Sequence, residues 1–314
     1  MIVTSVTVRV PAKINLQLAV GPLRSDGYHG LVTVFHAVSL FDDVTVAPAE
    51  TDTVTVTGEG AGLVPEDSDN LALRAVRALR ATLADRTGAN EADKADGVAV
   101  TIAKRIPVAG GMAGGSADAA AALVACNELW GTGLSQQELC EVAATVGSDV
   151  AFAVLGETAI GRGRGEELTP VPPAVPPTTY HWVLALADGH LSTPRVFHAL
   201  DRQRKDRQVK DPELSAELMA ALSAGDPKKL GAALSNDLQE PALTLFPALR
   251  KTLDAGIEAA ALGALVSGSG PTCFFLAASA DEATNLAASL SAAGVSRAIA
   301  TATGPAAGAS VIAR

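Results

Sequence analysis

Cysteine, aromatic residues, positive charge and long apolar runs are all in short supply, and each shortage excludes something. The three cysteines, Cys126, Cys140 and Cys273, are odd in number and widely spaced, and no Cys-x-x-Cys pair occurs. That argues against a disulfide framework or a zinc site and leaves thiols suited to a reducing cytosol. Aromatics make up only 4% of the chain, so packing must rest on small aliphatic side chains. Lys and Arg (24) are outnumbered by Asp and Glu (34), for a net charge of −10. An acidic chain repels phosphate backbones at long range, so nucleic acid is not an expected partner. A nucleotide remains allowed, because backbone N–H groups hold phosphates without a basic surface. Outside residues 106–127 there is no run of about 18 uncharged apolar residues, and glycine pairs, Ser116 and Asp118 break that segment. No membrane span is expected. The opening MIVTSVTVRV alternates polar and apolar residues and lacks a basic start before an apolar stretch. No signal peptide is therefore expected, and the expected location is cytoplasmic.

What is present is apolar material in quantity, 48% of 314 residues and mostly Ala, Val and Leu. At about 100–200 residues per domain the length fits two domains or one large one. Period-two alternation predicts strands at 2–10, 31–47, 54–58 and 98–107, and a further strand is read at 150–160. Helical spacing of Leu71, Leu73, Val76 and Leu79 predicts a helix over 71–84 capped by Asp69 or Asn70, followed by a polar surface loop at 85–96. Ser135 and Glu138 form the S-x-x-E pattern of a capping box. Four prolines in VPPAVPPTT (171–179) favour an extended connection, which puts a domain boundary there and gives domains 1–170 and 171–314. Beyond it the pattern predicts a strand at 181–188, a helix entered at Ser192 or Thr193 with Pro194 in its first turn, and a charged loop at 202–211. Helices follow at 213–223, 227–235, 247–259 and 281–293, with a strand–turn–strand at 264–279 and a final strand. The class is α+β, with an antiparallel sheet in the C-terminal part.

The densest chemical signal is Pro107-Val108-Ala109-Gly110-Gly111-Met112-Ala113-Gly114-Gly115-Ser116-Ala117, between a predicted strand and an Ala-rich helix. Glycines clustered this way remove Cβ atoms where backbone must approach something closely. The helix N-terminus behind them, with its free N–H groups and dipole, makes an anion site whose natural guest is a polyphosphate. A Walker A loop would end in Gly-Lys-Ser/Thr, and the Rossmann fingerprint needs G-x-G-x-x-G; neither is present.

This loop resembles the second motif of the GHMP kinases, with Met112 and Ala117 as its departures. Pro11-Ala12-Lys13-Ile14-Asn15-Leu16 resembles their first motif, and Lys13 is read at the end of a strand. Gly27-Tyr28-His29 after it resembles the loop that, in one branch of that family, clamps a cytidine. Gly147-Ser148-Asp149-Val150-Ala151-Phe152, read as following a helix and opening a strand, resembles the string that carries the family's catalytic carboxylate, with Ser148 and Ala151 departing. Val266-Ser267-Gly268-Ser269-Gly270-Pro271-Thr272 resembles the C-terminal glycine turn, expected beside the phosphate site.

The resemblance implies a two-domain GHMP kinase fold, with an N-terminal ribosomal-protein-S5-like ATP-binding domain and a C-terminal α/β-plait-like domain. It implies ATP and Mg²⁺ as cofactors, residues 107–117 as the nucleotide loop, and Asn70 and Lys104 as adenine-side contacts. Lys13 and Asp149 are implied as catalytic. Asn15, Tyr28, His29, Asp149 and Thr193 are implied as substrate contacts, with Tyr28 and His29 clamping a pyrimidine whose base edge His29 hydrogen-bonds. Ser116 is the candidate metal-side hydroxyl, with the ligand set otherwise open. The implied partner is a small-molecule substrate carrying a cytidine diphosphate group, and the chain is a monomer or homodimer. Other GHMP kinases, of homoserine or mevalonate type, are the alternative.

Overall fold

A computed structural model describes residues 4–87 and 97–314. The opening alternation becomes β1 (Val6–Leu23), paired antiparallel with β2 (His29–Ala49). β1 runs through the whole Pro11–Leu16 motif, so Lys13 lies mid-strand and not at the strand end that Pro11 suggested. The register slips against β2 between Pro11 and Ala12, and this irregularity takes up the proline's missing N–H.

There follow β3 (Thr53–Gly58), α1 (Leu71–Thr87), β4 (Gly97–Lys104), α2 (Gly114–Leu129), α3 (Gln136–Val146), α4 (Ser148–Leu155), β5 (Thr158–Arg162) and β6 (Glu167–Pro170). α1 continues to Thr87, into the loop expected at 85–96; residues 88–96 lie outside the described residues. The strand expected over 150–160 is α4 and then β5. The apolar run Val150–Leu155 is too short and too uniform for its period to separate helix from strand. Gly156, at φ 71°, ends the helix and turns the chain into β5. Ser135 and Glu138 do form the reciprocal capping box at the start of α3.

The second half contains β7 (Tyr180–Leu186), α5 (Thr193–Arg204), α6 (Ala216–Ala224), α7 (Pro227–Ala233), β8 (Ser235–Asn236), α8 (Gln239–Leu245), α9 (Ala248–Glu258), β9 (Gly263–Val266), β10 (Cys273–Ala277), α10 (Ala280–Ala293), β11 (Ala298–Gly304) and β12 (Ser310–Ala313). The charged segment at 202–211 begins inside α5, and the seven-residue α8 has no counterpart among the expected helices.

Two sheets result. One runs β12-β1-β2-β4-β3, with β5 beside β2, β6 beside β5 and β8 beside β1. The other, β11-β7-β10-β9, is antiparallel throughout. Residues 171–179 connect β6 to β7 without regular structure, but β8 and β12 return to the first sheet, so the chain beyond 171 serves both. α2 lies against β1 and β2 with Ala119 to Leu123 fully buried, small side chains that let it approach the sheet closely.

Period-two geometry makes β7 the bond between the halves. Tyr180, Trp182 and Leu184 join the core of the first sheet, while Val183 and Ala185 join the core under α9 and α10. Each large side chain buried there contributes about 1.5–3 kcal/mol. Among the described residues no helix is long and apolar enough to cross a membrane.

Candidate active site

Residues 107–113 carry the chain from β4 into α2. Ala109 (φ 53°), Gly111 (φ 76°) and Ala113 (φ 59°) all take the left-handed conformation. For the two alanines this costs roughly 1–2 kcal/mol each, strain of the kind that collects at functional loops. At Gly111 the glycine is obligatory: a Cβ would lie 2.1 Å from the carbonyl oxygen of Ser267. The second glycine turn presses on the first there. Ser267 Oγ donates to the Gly111 carbonyl at 2.9 Å, and the Thr272 N–H donates to the Gly110 carbonyl at 3.2 Å. α2 then starts at Gly114 with no side-chain cap, which leaves its first N–H groups and the positive end of its dipole for a ligand.

These N–H groups open onto a cleft of about 580 Å³ lined by Ala109, Gly110, Gly111 and residues 113–116. Lys13 enters the same cleft from the middle of β1. Its ammonium donates to Asn15 Oδ1 at 2.7 Å and stands 3.7 Å from Asp149 Oδ2. The Asn15 amide donates to Thr33 Oγ1 (2.8 Å), which donates to the Gln17 carbonyl (2.7 Å), so Asn15 has one orientation. Asp149 sits in the first turn of α4, its carboxylate a third exposed, where a helix N-terminus favours negative charge. A separation of 3.7 Å is an ion pair with room left around it, not a closed hydrogen bond. Thr193, in the first turn of α5, shares a 2.8 Å hydrogen bond with Ser269 of the second glycine turn. A larger hollow of about 900 Å³ lies between residues 170–180 and 305–310 and holds none of these groups. The smaller cleft is therefore the candidate site.

Comparison with known proteins gives the family. The GHMP kinases N terminal domain matches residues 70–157, and the GHMP kinases C terminal domain matches residues 218–296. A Thermobifida fusca protein named 4-diphosphocytidyl-2-C-methyl-D-erythritol kinase is 56% identical, covering 98% of this chain and 99% of its own length. The chain belongs to that kinase family. A relative of the same name from Salinispora tropica is 54% identical, with 98% and 94% covered. A crystal structure of 4-(cytidine 5'-diphospho)-2C-methyl-D-erythritol kinase is 32% identical at a TM-score of 0.73, covering 94% of this chain and 98% of the other. Homoserine kinase from Cytophaga hutchinsonii gives the same TM-score at 19% identity, with 99% and 98% covered, which speaks to the shared fold alone. The chain is thus a kinase with the GHMP fold.

Not every residue the family resemblance pointed to faces the cleft. Met112 and Ala117 are buried, and Pro107 and Val108 stand outside the lining. Met112 instead offers its carbonyl to the Lys13 N–H at 3.3 Å. Asn70 is spent at both ends, its amide donating to the Pro65 carbonyl and its oxygen capping α1 at the Ala72 N–H. Lys104 is buried between two carboxylates, 2.6 Å from Asp42 and 2.7 Å from Asp118. His29 has both ring nitrogens engaged: Nδ1 with the Gly21 carbonyl at 2.9 Å and Nε2 with Asp201 at 3.2 Å. A base-edge hydrogen bond from that ring therefore has no free nitrogen. Tyr28 is half exposed and carries the Arg164 guanidinium 4.1 Å from its ring centroid.

Phe197 and Arg164 are among the lining residues that escaped the sequence reading. Phe197 lies one helical turn beyond Thr193 on the same face of α5 and stacks on His29 with centroids 5.3 Å apart. The i, i+4 spacing from Thr193 is the signal that could have found it. Arg164, in the turn between β5 and β6, also lines the cleft, and nothing in its Gly-rich surroundings distinguishes it.

Proposed function

We propose that the chain transfers the γ-phosphoryl group of ATP to the 2-hydroxyl of 4-diphosphocytidyl-2-C-methyl-D-erythritol, in non-mevalonate isoprenoid precursor synthesis. The observation that carries this is the Lys13–Asp149 pair, 3.7 Å apart in the cleft beside the glycine loop, in a chain whose relatives bear that kinase's name. Phosphoryl transfer asks for positioning and charge neutralisation more than covalent chemistry. The N–H groups of the loop and of the α2 N-terminus hold the phosphates. Asp149 accepts the proton of the attacking hydroxyl, a role its partly open carboxylate supports. Lys13, oriented by Asn15, counters the negative charge that develops.

Among the described residues no group of three metal-ligating side chains exists. Oxygen donors at Ser116 and Asp149 suit a Mg²⁺ ion that keeps phosphate and water ligands. Mg²⁺ bound there with the nucleotide supplies charge neutralisation. On the substrate side, Phe197 lines the cleft and offers a ring face for a pyrimidine, with Tyr28 outside the lining under Arg164, and Asn15, Thr193 and Arg164 offer polar contacts. The same reading puts the enzyme in the cytoplasm, which the three unpaired thiols support.

The test is ADP release with ATP, Mg²⁺ and the cytidylated substrate, with homoserine and mevalonate as controls. Turnover with the cytidylated substrate alone is expected. Turnover with a control alone would keep the kinase and discard this substrate.

A further inference from the structure

Behind the glycine loop, outside the cleft, lie three buried ionisable groups that the proposed chemistry does not use. Asp42, on β2, is fully buried. Its Oδ1 accepts the N–H groups of Arg105 (2.5 Å) and Ile106 (2.8 Å), the two residues before Pro107. Its Oδ2 accepts from the Lys104 ammonium at 2.6 Å. The same ammonium donates to Asp118 Oδ2 at 2.7 Å, on the helix that leaves the loop. Gly114, the first residue of that helix, is so close that a Cβ there would stand 3.3 Å from Lys104 Nζ. One carboxylate thus ties down the chain entering the loop and, through Lys104, the helix leaving it.

Stability alone does not account for this arrangement. Burying an ammonium between two ionisable carboxyl groups is costly, and well-packed apolar side chains in such places are often as stable or more so. Asp118 Oδ1 even lacks a hydrogen-bond partner among the described residues. What the charges supply is a fixed geometry at both ends of residues 107–113, and a donor array misplaced by about 1 Å can cost on the order of 10²-fold in rate.

We infer that Asp42 is a positioning residue that, with Lys104, holds the glycine loop in its nucleotide-binding shape before ATP arrives. This rests on the reading that the loop receives the ATP phosphates. It reassigns Lys104 from a contact on the nucleotide to a brace behind it.

The experiment measures kcat, both KM values and the calorimetric affinity for a non-hydrolysable ATP analogue in wild type, Asp42→Asn and Asp42→Ala. Asp42→Ala is expected to raise KM for ATP and weaken the analogue by roughly tenfold, leaving KM for the cytidylated substrate within about twofold. Asp42→Asn, which keeps an acceptor for the two N–H groups, should fall between it and wild type. A folded variant with a lowered melting temperature but unchanged analogue affinity would overturn the inference, as would equal losses for both substrates.

The analogue reads the brace without any turnover, so a wrong phosphoryl acceptor leaves it standing. If the analogue protects other amides and not those of residues 108–115 from hydrogen exchange, the loop reading itself has failed. Wild type supplies an arm that needs no folded variant. The Arg105 and Ile106 amides should be protected before nucleotide is added. Free exchange of both until nucleotide binds would refute a preformed loop.

Discussion

Lys13 and Lys104 both face aspartates, with opposite results. Lys104 sits 2.6 and 2.7 Å from Asp42 and Asp118, almost without solvent contact. Lys13 stands 3.7 Å from a single carboxylate that is a third exposed, at the edge of a cleft. Burial works against the Lys104 charge, but Asp118 and Asp42 outweigh it and raise its pKa. Burial, reinforced by the charge of Asp42, pushes Asp118 up to about 8 against the pull of Lys104. The closed cluster has its hydrogen-bonding capacity nearly filled and lines no part of the cleft, so it is suited to holding backbone in place. The open pair keeps lone pairs and room for a third participant, which is what proton and phosphoryl transfer require.

The largest effect expected from breaking this contrast is at the open pair. Asp149→Asn should lower kcat by about 10²–10⁴-fold while calorimetry finds ATP affinity within about twofold of wild type. Ordinary turnover in that variant would remove the base role.

At the closed cluster the loss should appear in stability. Lys104→Met leaves the Asp42 carboxylate and the Asp118 carboxyl group buried without their shared ammonium and is expected to cost about 3–5 kcal/mol in urea unfolding. A cost under about 1 kcal/mol would mean that the cluster is less closed than its distances imply.

A smaller effect follows from pH. Asp118 has a native pKa raised from the ordinary 3.8 to about 8, so the native state holds a proton that the unfolded chain has released. Its contribution is whole below the unfolded value and is lost as pH rises towards 8. His36 works the other way: full burial drops it from 6.5 to about 3, so its contribution is present above 6.5 and is lost as pH falls towards 3. Unfolding free energies across this range should show Asp118→Asn flattening the descent on the alkaline side, and an unchanged slope would contradict the assignment.

The smallest expected effect is the stability change of Lys13→Met. Its carboxylate partner is partly solvated, so the loss should stay within about 1 kcal/mol even as turnover falls.

The contrast was only half visible in the sequence. Lys13, the glycine loop and Asp149 sit in contiguous strings whose order announces the family, and the structure brings them to one cleft. Lys104 was noticed for its position before the loop, but its partner Asp42 lies 62 residues upstream on β2, a separation that no local pattern spans. Its role was therefore read as a ligand contact. Arg164 was missed for the same reason, since only the folded hairpin brings it over Tyr28. The helix at 148–155 was misread because a short apolar run has no period to show. The capping box at Ser135 was legible because all its partners lie within three residues.

The return of β12 to pair with β1 has a consequence for how the molecule is made. The strand that covers this part of the β1 edge is synthesised only after all the other strands described above. Until it has been made, the stretch around Thr7–Arg9 presents unpaired N–H and C=O groups, the kind of exposed edge on which chains stick to one another. A nascent chain stalled before residue 310 would carry that open edge into the crowded cell, so yield should depend on how quickly synthesis reaches the closing strand.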